Sequence, residues 1–376
     1  MMYLDHNATT PMRSAALRAL IEAAGEAGNP SSVHSFGRRA QNRLEDARDS
    51  VRQLVGTAAA DVVFTSGGTE AILLFILAMA RQRRQTSGAQ RILLSGIEHP
   101  VVLEAARTLA EEGFTREFMA VKPEGRICVD TAQFAPSVAL ACLMLANNET
   151  GAVQPVAEFS TKAHAALVPV FCDAVQGAGK VPLKFDDWDL DGLAISAHKF
   201  GGPRGIGALV VRKGLSLEHL WGGGGQEGGQ RPGTQAVALA CGMGAAACEA
   251  VVDVAARDVL ASQRDRLQAS LMELGDVRVF AAEGARLPNT LSIAFAGVSA
   301  TALAGRLEAE QIMVGQGAAC HSGAGGSSTL AAMGLEPQWA RSVVRLSLGM
   351  RMTPADLDIA TAKICQAVRD LRRVGS

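Results

Sequence analysis

The chain has 376 residues, of which 48% are hydrophobic, 19% charged and 4% aromatic, and its formal net charge is −1. This balance is typical of a soluble globular protein and excludes a disordered or fibrous one. Acids and bases are interspersed, so we expect neither nucleic acid nor an anionic membrane as a partner. We expect one large and one smaller domain, because single cores stop growing at about 250–300 residues.

The longest apolar run, residues 71–80, is followed directly by arginines. It is about half as long as a bilayer span, which predicts a buried helix. The N-terminal sequence MMYLDHNATT lacks the basic and then apolar pattern of an export signal. We therefore expect a cytoplasmic protein.

Short apolar runs alternate with helical stretches between about residues 60 and 212. The predicted strands are 62–65, 91–95, 118–122, 139–145, 168–173, 193–196 and 206–212. Their continuous apolar character is typical of strands that are buried on both faces. The sequence therefore predicts an α/β fold with a mostly parallel seven-stranded sheet covered by helices.

The second half of the chain has a different pattern. Residues 234–274 are rich in Ala, Arg and Glu without proline, which predicts one long connecting helix. Strands predicted at 289–295, 312–315 and 343–348 then alternate with helices in a smaller α+β domain. We divide the chain into a large domain, 15–255, and a small domain that comprises 256–376 together with 1–14.

The seven cysteines are scattered and form no CxxC pair or zinc-type cluster, so no disulfide framework is expected. Six lie in strand-like or Ala-rich helical runs and are predicted to be small buried hydrophobes: Cys128, Cys142, Cys172, Cys241, Cys248 and Cys365. Cys320 differs, because the stretch around it, 314–328, is too glycine-rich and polar to be core. A thiol on such a loop is a candidate nucleophile, and the adjacent His321 would favour its thiolate.

A possible anion cradle lies in the segment FTSGGTE, residues 64–70, where a strand runs into glycines and then into the apolar helix. Free N–H groups at the helix start, around Gly68 and Thr69, would bind a phosphate or carboxylate. An ordinary tight turn between strand and helix explains the segment equally well. A GxGxxG match at 223–228 neither follows a clear strand nor opens a helix, so we discount a dinucleotide site.

Two further predicted strands end in polar residues, one at Asp173 and the other at Ser196-Ala197-His198-Lys199. Ligand sites of open parallel sheets lie beyond the carboxyl ends of strands. A lysine at such a position can have a lowered pKa and act as a nucleophile, although a lone lysine is more often solvated. An amine, a carboxylate and an anion cradle are together what pyridoxal phosphate needs.

At this point the sequence resembles a known family. Its motifs are similar to those of cysteine desulfurases of the IscS/NifS kind, which are class-V aminotransferase relatives among the fold type I pyridoxal phosphate enzymes. The matching segments are YLDHNATTP (3–11), GNPSS (28–32), FTSGGTE (64–70), EH (98–99), ANNETG (146–151), DAVQ (173–176), SAHK (196–199), GGQE (224–227), RPGT (231–234), LPNT (287–290), AAC (318–320) and VRLS (344–347). They cover nearly the whole chain in register.

The resemblance implies that Lys199 carries pyridoxal 5'-phosphate as a Schiff base and that Asp173 faces the ring nitrogen. The residues that it places around the rest of the cofactor are His99 over the ring, Gln176 near the phenolic oxygen, Asn148 near ring and substrate, and Gly68, Thr69, Ser196 and His198 at the phosphate, with Thr234 reaching in from a second subunit. Because a residue of a second subunit completes the site, the resemblance also implies a homodimer. Without the neighbouring motifs, His99 is better explained as a helix cap or loop residue and His198 as a structural imidazole.

The resemblance also assigns the substrate and the sulfur carrier. Arg345 lies in a strand-like run, where a buried charge needs a fixed anion. The family makes that anion the carboxylate of L-cysteine, with Asn148 nearby, while a structural ion pair is the alternative. Cys320 would accept the sulfur as a persulfide, leaving L-alanine, and pass it to an acceptor such as an iron–sulfur scaffold protein. We expect no metal site beyond a transient role of Cys320 as an iron–sulfur ligand.

Two other functions stay open. One is a selenocysteine lyase or other pyridoxal phosphate C–S lyase on the same scaffold, and the other is a catalytically silent scaffold that docks sulfur acceptors. The AAC context and the long glycine loop argue against the first, and the presence of Lys199, Asp173 and Cys320 argues against the second. The chain departs from the family pattern at His6, Ala71, Ile72, His321 and 323–328.

Overall fold

Two sheets with the helices around them make up the protein in the computed structural model, which describes residues 1–316 and 327–375. The strands are β1 Met2–Leu4, β2 Asp61–Thr65, β3 Arg91–Ser95, β4 Thr115–Met119, β5 Val138–Met144, β6 Val170–Asp173, β7 Gly192–Ser196, β8 Gly207–Val211, β9 Val277–Phe280, β10 Thr290–Phe295, β11 Ile312–Gln316 and β12 Val343–Ser347. The helices are α1 Ser14–Ala24, α2 Ser35–Val55, α3 Gly68–Ser87, α4 Pro100–Glu111, α5 Val156–Ala165, α6 Val237–Ala255, α7 Arg257–Met272, α8 Ala300–Ala309, α9 Ser328–Ala332, α10 Pro337–Ala340 and α11 Pro354–Gly375.

The large sheet has the strand order β2-β8-β7-β6-β5-β3-β4, and β8 alone runs antiparallel to its neighbours. The predicted α/β class and seven-stranded sheet are confirmed. The prediction at 118–122 was placed too late in the chain, because this strand is Thr115–Met119. As an edge strand it pairs only with β3 and leaves Phe118 51% exposed, so it lacks the continuous apolar signature of the inner strands.

The prediction of a single long helix over 234–274 is wrong. The chain forms two helices, α6 and α7, with Ala256 as the junction between them. α6 packs on α1 and α2, whereas α7 packs on α11 and the small sheet, so the break redirects the chain from one layer to the other. Among the described helices, α6 alone has the length and apolar composition of a membrane span, a property that core helices share.

The small sheet has the order β1-β11-β12-β10-β9, with β1 parallel to β11 and the other pairs antiparallel. The N-terminal strand therefore packs with C-terminal strands, as expected for the first dozen residues. This pairing brings the segment after β1 to the carboxyl ends of β6 and β7 in the large sheet, where Thr10 N donates to His198 O at 2.9 Å.

The six cysteines predicted to be core differ in exposure. Cys142 and Cys172 are buried in the large sheet, and Cys128, Cys241 and Cys365 are partly buried. The prediction was wrong for Cys248, which is exposed on α6 with its Sγ 3.5 Å from Ser50 Oγ. The Ala-rich run around Cys248 predicted a buried position, but the packing of α6 against α1 and α2 buries only part of the helix.

Candidate active site

A cavity of about 750 Å³ lies where the carboxyl ends of the large-sheet strands meet β11 and β12. The predicted site residues that line it are Gly68, Thr69, His99, Asn148, Asp173, Gln176, Ser196, His198, Lys199 and Arg345. They come from segments throughout the chain, and the fold brings them to one place.

One end of the cavity is the start of α3. The helix begins at Gly68, so the first N–H groups of the helix lack intrahelical partners and favour an anion. A Cβ on Gly68 would come within 2.9 Å of Val175 Cγ2, so the close approach of the helix start to the turn after β6 favours glycine here. His198 hydrogen-bonds through Nδ1 with Thr9 Oγ1 at 3.1 Å. Burial and the neighbouring Lys199 lower the pKa of His198 to about 4, so its imidazole is neutral at pH 7.

Lys199 closes a single turn of 3-10 helix directly after β7. Its Nζ donates to the carbonyl oxygens of Asn7 at 2.7 Å and Ala8 at 3.0 Å. Burial, and then the nearby Arg345, lower the pKa of Lys199 to about 8. A substantial fraction of the amine is therefore unprotonated near neutral pH and competent as a nucleophile.

Asp173 is the last residue of β6 and is 6% exposed. Its Oδ1 accepts a hydrogen bond from Val175 N at 3.0 Å. Burial raises the pKa of this carboxyl, and the proximity of His99 and Lys199 opposes that rise. A buried carboxylate of this kind favours a cationic partner, such as a protonated ring nitrogen.

His99 has both of the roles considered from the sequence. Its Nδ1 accepts from Val101 N at 3.2 Å and caps α4, and the same side chain lines the cavity. Burial lowers the pKa of His99. Because Nδ1 accepts from a backbone N–H, the proton of the neutral ring lies on Nε2, which is left for the site.

Arg345 lies on β12 and forms the ion pair that was considered as the structural alternative. Its Nη2 is 2.5 Å from Asp5 Oδ1, and its Nη1 donates to Asn148 O at 2.9 Å. Its Nε is buried and has no hydrogen-bond partner among the residues that the structure describes. A buried guanidinium N–H without a partner is rare, and at the wall of a cavity it provides a donor for an anionic ligand.

Asn7 is a site residue that the sequence reasoning did not single out. Its backbone oxygen accepts from both Lys199 Nζ and Gln176 Nε2, at 2.7 and 2.9 Å. The side chain is 1% exposed and hydrogen-bonds to Thr290 Oγ1 and Asn289 Nδ2, at 2.9 and 3.1 Å. The motif YLDHNATTP was the available signal, but a backbone acceptor depends on the fold.

Thr234 is exposed and is not among the residues that line the cavity. Cys320 and His321 lie outside the described residues. Of the departures from the family pattern, Ile72 is buried and lines the cavity, while burial lowers the pKa of His6 to about 4. Within residues 1–316 and 327–375, no three His, Cys, Asp or Glu side chains cluster as a metal site.

The donor set fits pyridoxal phosphate. One cavity holds an amine with a lowered pKa, a buried carboxylate, a helix N-terminus free of bulky side chains, and a guanidinium with an unpartnered N–H. These are the groups that a Schiff base, a pyridinium nitrogen, a phosphate and a substrate carboxylate require.

Comparisons with known proteins identify the family. The class-V aminotransferase family model matches residues 2–359. An IscS-like cysteine desulfurase of Mycobacterium tuberculosis is 38% identical, and the match covers 99% of this chain and 98% of that protein. A solved NifS-like protein superposes with a TM-score of 0.91 at 31% identity, over 98% of this chain and 99% of the other. A structure described as SspA in complex with cysteine has a TM-score of 0.81 at 29% identity, over 93% and 99% of the two chains. The chain therefore belongs to the class-V aminotransferase family, whose cysteine desulfurase members depend on pyridoxal phosphate, and within it to the cysteine desulfurases.

Proposed function

We propose that this protein is a cysteine desulfurase that converts L-cysteine to L-alanine and transfers the sulfur to Cys320. The observation that carries the proposal is the convergence of Lys199, Asp173 and Arg345 on one cavity. The relatives' names and the cysteine complex of the SspA structure support L-cysteine as the substrate.

The residues around the cavity would hold pyridoxal phosphate at defined points. Lys199 Nζ would form the Schiff base, and Asp173 would keep the ring nitrogen protonated. The residues proposed for the remaining contacts are Gly68, Thr69, Ser196 and His198 at the phosphate, His99 at the ring face, Gln176 at the phenolic oxygen and Asn148 beside ring and substrate. When bound, the cofactor supplies an electron sink for the carbanion at the substrate Cα.

The substrate carboxylate would bind Arg345, whose buried Nε has a free N–H. The amine of Lys199, when it is not joined to the cofactor, would be the base that removes the Cα proton of the substrate. Its pKa of about 8 suits that task near neutral pH. The proton that lies on His99 Nε2 can be given to the reacting sulfur or carbon, since Nδ1 is occupied by the helix cap.

Sulfur transfer needs a thiolate at Cys320. The thiolate attacks the substrate sulfur, so that an S–S bond forms and the Cβ–S bond breaks. The bonding pair of the broken bond goes to the alanine skeleton, which takes up protons and leaves as L-alanine. The sulfur is oxidised to the sulfane level as the carbon is reduced, so no external oxidant is needed.

Three further parts of the proposal concern partners and location. Two copies of the chain would form a homodimer, in which Thr234 of the partner subunit completes the phosphate site; its exposed position outside the cavity of its own chain supports this. The persulfide would pass to a sulfur-acceptor protein in the cytoplasm, for iron–sulfur cluster assembly. Cys320 would serve at most as a transient iron–sulfur ligand.

The test uses the purified chain incubated with pyridoxal phosphate, L-cysteine and a reductant, with alanine and sulfide measured. Native protein should show the visible absorbance of bound cofactor and form both products, whereas Cys320→Ala should lose sulfide formation. Cys248→Ala is the matched control, because Cys248 is an exposed thiol that does not line the cavity. Absence of cofactor absorbance in the native chain would overturn the cofactor assignment, and undiminished products from Cys320→Ala would overturn the persulfide. A preference for L-selenocysteine would favour the lyase alternative.

A further inference from the structure

Lys180 is a buried lysine beside the candidate site that the proposed reaction does not use. It is 8% exposed, and its Nζ donates to Gln176 Oε1 at 2.9 Å. Burial, and then the nearby Lys199 and Arg345, hold the pKa of this amine well below its ordinary value, and no acidic group of the described residues opposes that shift. Burying an amine next to cationic groups costs folding free energy. The hydrogen bond to Gln176 therefore indicates a specific role for this lysine.

Gln176 is held at both ends of its amide. Its Nε2 donates to the backbone oxygen of Asn7 at 2.9 Å, and a carbonyl oxygen can only accept. The amide oxygen must therefore face Lys180, where it accepts the hydrogen bond from Nζ. This leaves the second N–H of the amide for the cavity that Gln176 lines.

The same Asn7 oxygen accepts from Lys199, so one chain of hydrogen bonds joins the two lysines through Gln176 and Asn7. Asn7 is fixed by its own side-chain bonds, and its position does not depend on Lys180. Removing the Lys180 donor would free only the oxygen end of the amide. Gln176 could then rotate away from the cavity while Asn7 and Lys199 stay in place.

We propose that Lys180 is a positioning residue that holds the Gln176 amide with an N–H directed at the phenolic oxygen of the bound cofactor. This inference rests on the proposed function, which places Gln176 at that oxygen. A donor there favours the anionic form of the oxygen. Loss of the donor should therefore raise the pH at which the visible absorption of the bound cofactor changes.

The test is a double-mutant cycle on the reconstituted holoenzyme, with the pH midpoint of the cofactor absorption change as the readout. Lys180→Met and Gln176→Ala should each raise this midpoint by about one pH unit, since each removes a hydrogen bond that favours the charged form of the phenolic oxygen. The double variant should shift no further than Gln176→Ala alone, because Lys180 acts through Gln176.

The same double-mutant cycle separates the hydrogen bond to Gln176 from the effects of other charged groups near Lys180. The titratable or charged groups around it are His6, His198, Lys199, Arg345, Arg257 and Asp253, the last of which is paired with Arg13 at 2.5 Å. A general charge effect of Lys180 on the cofactor would persist in the Gln176→Ala background. Equal shifts from Lys180→Met in both backgrounds would therefore overturn the inference, as would no shift in a folded Lys180→Met protein.

Lys180→Gln gives an independent arm if the methionine variant does not fold. It keeps an N–H donor for Gln176 Oε1 without the charge, so the midpoint should stay near the native value. A shift as large as that of Gln176→Ala would overturn the positioning role. A native chain that binds no cofactor would contradict the proposed function. Normal cofactor binding together with equal Lys180→Met shifts in both backgrounds would contradict only the role of Lys180.

Discussion

Arg345 and Asp5 form an ion pair across 340 positions of sequence, with Nη2 2.5 Å from Oδ1, while Nε of the same guanidinium has no hydrogen-bond partner within residues 1–316 and 327–375. The guanidinium is thus fixed by a protein carboxylate and keeps a donor for a second anion. In this arrangement Asp5 orients Arg345, and under the proposed function Asp5 would compete with the substrate carboxylate for the charge of the guanidinium.

The first prediction follows from this competition. Arg345→Lys should raise the KM for L-cysteine about 10- to 100-fold, because lysine lacks the buried Nε–H that would donate to the substrate carboxylate. Asp5→Asn should lower the KM severalfold, since the amide still accepts a hydrogen bond but no longer neutralises the guanidinium. Steady-state kinetics on both variants, with the cofactor spectrum as a control for an intact site, checks the prediction. A rise of KM in both variants would mean that Asp5 is needed for substrate binding.

The second prediction concerns the amine of Lys199. Burial and Arg345 lower its pKa to about 8, so the nucleophilic form should increase as the pH rises through about 8. The rate at which cofactor-free protein takes up pyridoxal phosphate, followed by absorbance, should rise with a midpoint near that pH. Lys199→Arg should show no Schiff-base absorbance, and Lys184→Arg, a substitution of an exposed lysine, should behave as native. A midpoint near the ordinary value of 10.5 would contradict the lowered pKa.

The large sheet could be predicted from sequence because its inner strands are buried on both faces and read as continuous apolar runs. Edge strands lack this signal, which explains the displaced position of β4 and the missed strand β9. The break at Ala256 carries no proline or glycine, so only the packing of α6 and α7 on different layers reveals it.

The side chains of the site were predictable where chemistry demands a residue type, as at Lys199 and Asp173. The contribution of Asn7 could not be predicted, because it is the backbone oxygen of Asn7 that accepts the hydrogen bonds and every residue has such an oxygen. The ion pair between Asp5 and Arg345 could not be predicted either, because the proximity of the two residues depends on the parallel pairing of β1 with β11.

The third prediction tests the start of α3 with two adjacent glycines. A Cβ on Gly68 would meet Val175 Cγ2 at 2.9 Å, whereas a Cβ on Gly67 would meet no atom within 4 Å. Gly68→Ala should therefore displace the helix start and raise the dissociation constant of pyridoxal phosphate about tenfold, since misplaced donors bind the phosphate less well. Gly67→Ala should bind the cofactor as the native chain does. Equal affinities of the two variants, measured by fluorescence titration, would contradict the role of the Gly68 contact.

The fourth prediction concerns the stability of the protein and the buried carboxyl of Glu98. Its Oε1 accepts from Ser95 Oγ at 2.6 Å and Met144 N at 3.1 Å, and its Oε2 has no partner in the described part of the chain. Burial raises the pKa of Glu98 from 4.5 to about 8. Between these values the folded state holds a proton that the unfolded state has released. The stability that this proton provides is complete below about pH 4.5 and is lost as the pH rises through about 8.

Glu98→Gln should remove this pH dependence, because the amide is neutral at every pH and nearly the same shape. The free energy of unfolding of the native chain should fall by up to about 1.4 kcal/mol per pH unit within the window, and the variant should fall less steeply. The variant should therefore be the more stable protein at pH 8 and lose this advantage toward pH 5. Glu104→Gln is the matched control, since Glu104 is exposed on α4 and pairs with Arg107 at the surface. Urea unfolding at three pH values measures the slopes, and parallel slopes for native and Glu98→Gln protein would show that Glu98 is ionised in the folded state at neutral pH.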